Sequence, residues 1–250
     1  MKPKINKLSL GLCFIWLAFI VSCSKTQDLN ETNGSSYCDN SFSNFKLANN
    51  PYDYVGELHN GAIDSIVNTP GYPALTPLEK YNIQIAYLTN KLGGGTTFLP
   101  FNTTDSIVQA ANSFNSLEDL ATSMFNQGKI SQKERQLLNT LNTIAISSNS
   151  VSHLVNRLNE FDNSSIQRND ITENERTLIL LTSSILSHSA EYWGTLEGGD
   201  GGVGGFPKFL ADGIGGVIGG SVGSVFGGVP VGTIIGFVVG AVAGSLGRGE

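Results

Sequence analysis

A chain of 250 residues with formal net charge −6, 14% charged residues and thirty glycines has room for one ordinary domain plus appendages. Fifteen Lys and Arg against twenty-one Asp and Glu argue against a nucleic-acid binder. Nine glycines precede residue 194 and twenty-one lie between Gly194 and Gly249, so the excess over the usual ~7% belongs to one segment.

At the N-terminus, Lys2, Lys4 and Lys7 precede residues 8–22, which carry no charge. A basic start followed by a short apolar run is the layout of a secretory signal, and the run is shorter than the ~20 residues a spanning helix needs. It ends in Ile20-Val21-Ser22-Cys23, which resembles the lipobox of bacterial lipoproteins. That resemblance implies a signal peptide over 1–22. It also implies that Cys23 becomes the mature N-terminus, with a thioether-linked diacylglycerol and an acyl chain on its amine. The alternative is a plain cleaved signal in which Cys23 is incidental. Ser24, where aspartate would retain a lipoprotein in the inner membrane, points to the outer membrane, with the anchor on its periplasmic face or at the cell surface. Cys13 leaves with the signal and Cys23 is alkylated, so Cys38 keeps the remaining thiol and no intrachain disulfide forms. Cys38 is then an idle residue or an intermolecular bridge. Residues 23–50, rich in Ser, Asn and Thr and without periodicity, read as a lipidated flexible tether.

From 51 to 193 the apolar period is that of helices. Val55, Leu58, His59, Ala62, Ile63 and Ile66 make one continuous stripe. Thr76-Pro77-Leu78-Glu79 reads as a capping box with proline at the first helical position. Full boxes recur at Ser131–Glu134 and Thr172–Glu175, and a looser one at Ser116–Asp119. Gly128 fits a helix C-terminus. Val151, Leu154, Val155, Leu158 and Phe161 give another stripe, and Leu178–Trp193 the most apolar helix. No period-2 run appears, so the fold class is all-α, with five to seven helices in this domain. The stretches starting Ile130-Ser131 and Ile171-Thr172, forty-one residues apart, share a pattern. They are read as two stapled capping boxes rather than as an internal duplication.

The segment Asn50-Pro51-Tyr52-Asp53-Tyr54-Val55-Gly56-Glu57-Leu58-His59-Asn60 resembles a Tyr-Asp-x-x-Gly-x-x-His-Asn pattern of uncharacterised secreted and lipidated bacterial proteins, notably of Bacteroidetes. The resemblance covers about ten residues and implies no chemistry. Read from the residues, Asp53 caps the first helix and Gly56 admits a close neighbour. His59 is then a core histidine hydrogen-bonded to backbone. The competing reading makes Asp53, Glu57 and His59 a metal or acid–base cluster, but His59 lies off the face shared by the two acids. His188-x-x-Glu191 has ligand spacing and lacks local partners. There is no His-Glu-x-x-His, no Cys-x-x-Cys and no P-loop. No catalytic, metal or cofactor site is therefore assigned.

Residues 194–205 hold seven glycines and read as a flexible linker. From Gly213 to Gly247 there are thirty-five residues without a charge. Gly215, Gly219, Gly223 and Gly227 recur every four residues. A second ladder runs Gly216, Gly220, Ser224, Gly228, Gly232, Gly236, Gly240 and Gly244. This spacing lines one helical face with small residues, so that a neighbouring backbone can approach closely. Val217, Ile218, Val222, Val225, Phe226, Ile234, Ile235, Phe237, Val238 and Val239 make the face suited to lipid. Gly227-Gly228-Val229-Pro230-Val231 is the turn, leaving arms of about 23 Å at 1.5 Å per residue, short of a ~30 Å bilayer core. The tail, 206–250, resembles the two-helix glycine-zipper domains of bacterial surface antigens and small outer-membrane lipoproteins. It implies close packing in a membrane, with a bilayer as partner and a possible homo-oligomer. The alternative is a hairpin packed on the protein's own core.

The expectation is a non-enzymatic envelope lipoprotein that associates or oligomerises in a membrane through the hairpin. A membrane-active effector, such as a contact-dependent antibacterial toxin, is the second reading, and an envelope hydrolase using His59 or His188 the third. Removing 1–22 leaves twelve basic residues against twenty-one acids, a net charge of −9. Attachment to anionic lipid then has to be hydrophobic.

Overall fold

Helix starts follow the caps written in the sequence. In a computed structural model, described over residues 46–72, 74–93, 98–196, 206–227 and 231–247, Thr76 and Glu79 form a reciprocal box. Ser131 and Glu134 do the same. So do Thr172 and Glu175, through Glu175 N–H to Thr172 Oγ1 at 3.2 Å and Thr172 N–H to Glu175 Oε2 at 2.7 Å. Ser116 accepts from the Asp119 amide without the return bond. Each such cap contributes about 1 kcal/mol. The two similar boxes meet: Ser131 Oγ donates to Glu175 Oε1 at 2.6 Å, so the helices they open start side by side.

The helices are α1 Asp53–Val67, α2 Pro77–Leu92, α3 Phe101–Asn112, α4 Leu117–Asn126, α5 Gln132–Ser147, α6 Val151–Gln167, α7 Glu173–Leu196, α8 Phe206–Gly227 and α9 Val231–Gly247. The described residues contain no strand, and the all-α class holds. Seven of the described helices precede the tail. After α4, Gly128 has φ +67° and sits just past the helix end. The Lys129 amide returns to Met124 O and the Gly128 amide to Phe125 O, which closes the last turn. The signal, Ser24, Cys13, Cys23, Cys38, residues 197–205 of the linker and Gly228-Val229-Pro230 lie outside the described residues.

The middle of the body is α7 with the α8–α9 pair. α7 packs on α1, α5, α6 and α8, while α8 also meets α3 and α4, and α9 meets α1 and α3. Nearly every residue from Ile179 to Trp193 is buried. α8 and α9 are therefore not an appendage: where it is described, the face expected to meet lipid meets protein, while the side chains of Val225 and Phe226 lie outside the described residues. Val217, Phe237, Val238 and Val239 are all 0% exposed. Apolar side chains on α1, α3, α4 and α7 supply the other half of this core, each fully buried one contributing about 1.5–3 kcal/mol. The tether ends sooner than its composition suggests. Leu47 is buried, the Ala48 amide donates to Asn159 Oδ1 at 3.0 Å and Asn49 Nδ2 to Asn163 Oδ1 at 2.6 Å. Asparagines that look like linker find amide partners on α6. At the other end, Gly194-Thr195-Leu196 belongs to α7.

Candidate functional site: the hairpin and the polar node at its base

The α8–α9 contact is backbone against backbone. A Cβ added at Gly215 would fall on Gly240 O, at Gly219 on Gly236 O, and at Gly223 on Gly232 O. The same holds in reverse for Gly236 and Gly240, and Gly244 abuts Ala211 O. The ladder 215/219/223 of α8 thus meets 232/236/240/244 of α9. Gly216 and Gly220 do something else: they form a socket for the Phe237 ring. Gly227 ends α8 and Gly228 lies beyond the described residues. Each glycine in a helix costs about 0.8–1.0 kcal/mol against alanine, offset here by dispersion between touching backbones. The string Gly219-Gly220-Ser221-Val222-Gly223 has the spacing of a serine-hydrolase elbow. It runs within α8, where Ser221 Oγ donates to Val217 O at 2.9 Å, with no strand-to-helix turn.

At the base of α8 stands Asp212, the last charge before the uncharged run and 0% exposed. Its Oδ2 accepts from Ser189 Oγ and, at 3.1 Å, from Trp193 Nε1; its Oδ1 accepts from Ser245 Oγ. Ser189 and Trp193 are four apart on α7, and Ser245 is on α9. From α1, His59 Nε2 faces Asp212 Oδ2 at 3.5 Å and makes no hydrogen bond. Four helices therefore converge on one carboxylate.

The Asn50–Asn60 segment supplies the rest. His59 Nδ1 is 3.0 Å from Asn60 Oδ1, and Asn60 Nδ2 donates to His188 O at 2.9 Å. That second bond fixes the amide, so Asn60 Oδ1 accepts from His59 Nδ1–H and leaves Nε2 bare. His59 is buried, but against a side chain and a carboxylate rather than backbone. Burial, with the His188 charge, pushes its pKa down to about 4, against the smaller opposite pull of Asn60. Asp53 does not cap α1. Tyr52 occupies the N-cap without a side-chain bond, and Asp53 Oδ1 instead pairs with His188 Nε2 at 2.8 Å and accepts from the Leu47 amide at 3.3 Å. Gly56 does admit a neighbour: a Cβ there would overlap the His188 side chain, and its amide donates to Ser184 Oγ at 2.9 Å. Asn50 Nδ2 reaches Asp162 Oδ2 and Leu180 O, both at 2.8 Å.

Asp53, Glu57 and His59 are not one cluster. Glu57 lies near surface Lys46 at 3.8 Å, and the two histidines take separate aspartates. Glu191 turns into the body, where burial raises its carboxyl pKa, and its Oε2 makes no hydrogen bond. Among the described residues no group of three or more His, Cys, Asp or Glu is placed to hold a metal. A cleft of about 120 Å³ opens between α2, α3 and α9, over Ile66, Val108, Val242 and Leu246, with Lys80 at its side. Neither buried histidine lines it.

Asp212 and its serine and tryptophan donors escaped the sequence reading. The available signal was a lone acid at the mouth of the uncharged run, with His59 as an unexplained polar residue in an apolar stripe. Comparison with known protein families, characterised proteins and solved structures finds no match for this chain. No described helix is long and apolar enough to cross a membrane.

Proposed function

We propose that this protein is a non-enzymatic cell-envelope lipoprotein, anchored at the outer membrane through Cys23, that stores a membrane-entering hairpin inside its helical body. The observation that carries this reading is the α8–α9 pair. The longest uncharged run of the chain is a self-complementary backbone zipper, buried beneath helices whose outer faces are polar. Because the two arms hold each other through their own backbones, the pair can leave its sheath without losing its largest contact. Lipid favours that state, since unpaired amides there cost several kcal/mol and a closed helix pair has few. Short arms suit part-way entry as a hairpin rather than two full spans. In the closed state the glycine faces are used within the chain, so oligomerisation through the zipper requires opening.

The second reading, a membrane-active effector, is favoured by the same burial: a sheathed hairpin can travel through water before meeting a neighbour's bilayer. The two differ in whose membrane is entered.

The test is fractionation of wild type and Cys23→Ala, followed by photolabelling with a lipid-borne carbene probe. Wild type is expected in the outer-membrane fraction, Cys23→Ala largely outside it, and the label within residues 213–247. Cys23→Ala remaining fully in the outer-membrane fraction would refute the anchor. Label absent from 213–247 would refute the hairpin's membrane role.

A further inference from the structure

We propose that the cleft between α2, α3 and α9 is a binding site for a small free aromatic molecule, a single ring of the phenol type that enters apolar end first. The site does not depend on the envelope role proposed above. Ile66 of α1 and Val242 of α9, 0% and 1% exposed, close its floor, with Val108 of α3 and Leu246 of α9 at the sides. Its volume of about 120 Å³ is a little under the ~150 Å³ of an engineered apolar cavity that takes benzene. One six-carbon ring therefore fits, and two fused rings do not.

The polar side chains of the wall are already engaged, and this decides which end of a ligand goes in. Tyr81 Oη donates to Leu99 O, and both Thr104 Oγ1 to Pro100 O and Gln84 Nε2 to Val238 O span 3.4 Å. Asp105 Oδ2 accepts from Gln109 Nε2 at 2.9 Å, and Lys80 holds its ammonium 5.7 Å from the centre of the Tyr72 ring. A polar group pushed to the floor would lose its water without gaining a partner. The entering end is therefore apolar, and the polar end stays in water at the open side.

Two rings make one wall. Tyr81 of α2 and Phe101 of α3 pack edge to face, with centroids 5.6 Å apart and planes at 64°. The Tyr81 bond to Leu99 O, just ahead of α3, holds that pair in place before a ligand arrives. A third ring extends the pair in the same geometry. It enters without freezing internal rotations, whereas an alkyl chain of equal size loses them. The backbones of α2, α3 and α9 are bonded along each helix, so no strand edge is offered to an extended peptide, and the occupant is a free molecule. Because Val242 and Leu246 belong to α9, the complete site exists only while the hairpin is seated. Binding therefore adds to what holds the hairpin in.

The experiment titrates the full chain with phenol, cyclohexanol and 1-hexanol, which have the same number of carbons and one hydroxyl each. Calorimetry gives the affinity, and methyl NMR shifts of Ile66, Val108, Val242 and Leu246 give the place. Phenol is expected to bind with a Kd of about 0.1–1 mM, in keeping with its few non-hydrogen atoms, and to move those methyl groups. Cyclohexanol and 1-hexanol should bind about three- to ten-fold more weakly. Val108→Phe, which fills the cleft from a half-buried position, should abolish phenol binding. Phe101→Leu should weaken it by about three- to ten-fold. With phenol at about ten times its Kd, the slowest-exchanging α9 amides should slow by about a further ten-fold. No saturable binding by about 10 mM phenol, shifts confined to other residues, or unchanged binding in Val108→Phe overturns the site. Equal affinity for the three alcohols overturns its aromatic character, and unchanged α9 exchange overturns its tie to the hairpin. If Val108→Phe does not fold, 1-naphthol decides on wild type: exclusion supports the site, and binding as tight as phenol's overturns it.

Discussion

The Gly56–His188 contact shows how one absent side chain sets a helix crossing. Because α1 has no Cβ at position 56, the His188 ring of α7 lies against its backbone and reaches Asp53. Gly56→Ala gains about 1 kcal/mol of helix propensity but forces that ring, 3% exposed, to move. The net expectation is a loss of about 1–2 kcal/mol in urea unfolding. Gly61→Ala is the milder control, since there the added Cβ meets the hydroxyl end of Tyr87. Asp162 carries a pH prediction. Burial raises its pKa to about 7 against 3.8 when exposed, with Asn50 and Ser183 acting in the opposite direction. The folded chain therefore binds a proton that the unfolded chain does not, and stability from this group falls as pH rises from 4 to 7 and then levels. Asp162→Asn, still able to accept from Asn50, is expected to remove that slope and to be more stable than wild type at pH 8, by denaturant melts.

At the scale of elements, much was legible. Capping boxes announced α2, α5 and α7 to the residue, because the cap chemistry is local and repeats in any context. The four-residue glycine spacing announced a close helix pair, since nothing else rewards glycine at that interval in a helix. What was not legible was which surface would cover the outer side of the pair: valine and phenylalanine suit lipid and a protein interior equally well. The polar node was hidden for a related reason. Ser189, Trp193 and Ser245 carry no local pattern and become neighbours of Asp212 only when four helices meet. Phe237, seated between Gly216 and Gly220, is the test of this packing. Phe237→Ala should cost about 3–5 kcal/mol, and Gly220→Ala should also destabilise because the new methyl enters the ring's place. Calorimetry of the two variants checks both.

For the whole molecule, the consequence of an internal hairpin is mutual dependence. From Ile179 to Trp193 α7 is buried on every side and leans on α8, while α1, α3 and α4 close the remaining faces of the pair. A chain ending at Leu196 loses that centre and is expected to keep helical circular dichroism, lose sharp thermal unfolding and bind a hydrophobic dye. Cooperative melting of such a truncation would show that α1–α7 stand without the pair.

The zipper also bears on heredity. Where Gly215, Gly219, Gly223, Gly236 and Gly240 press on carbonyl oxygens of the opposite helix, no other amino acid leaves out the Cβ that would collide. Every single-base change that alters a glycine codon to another residue adds at least that atom. In a saturation library selected for folded protein, these five columns are expected to accept glycine alone. Ser221, exposed on the same helix, should accept most of the alphabet. The hairpin is thus the most mutationally brittle segment of the chain, although its composition makes it look like the simplest.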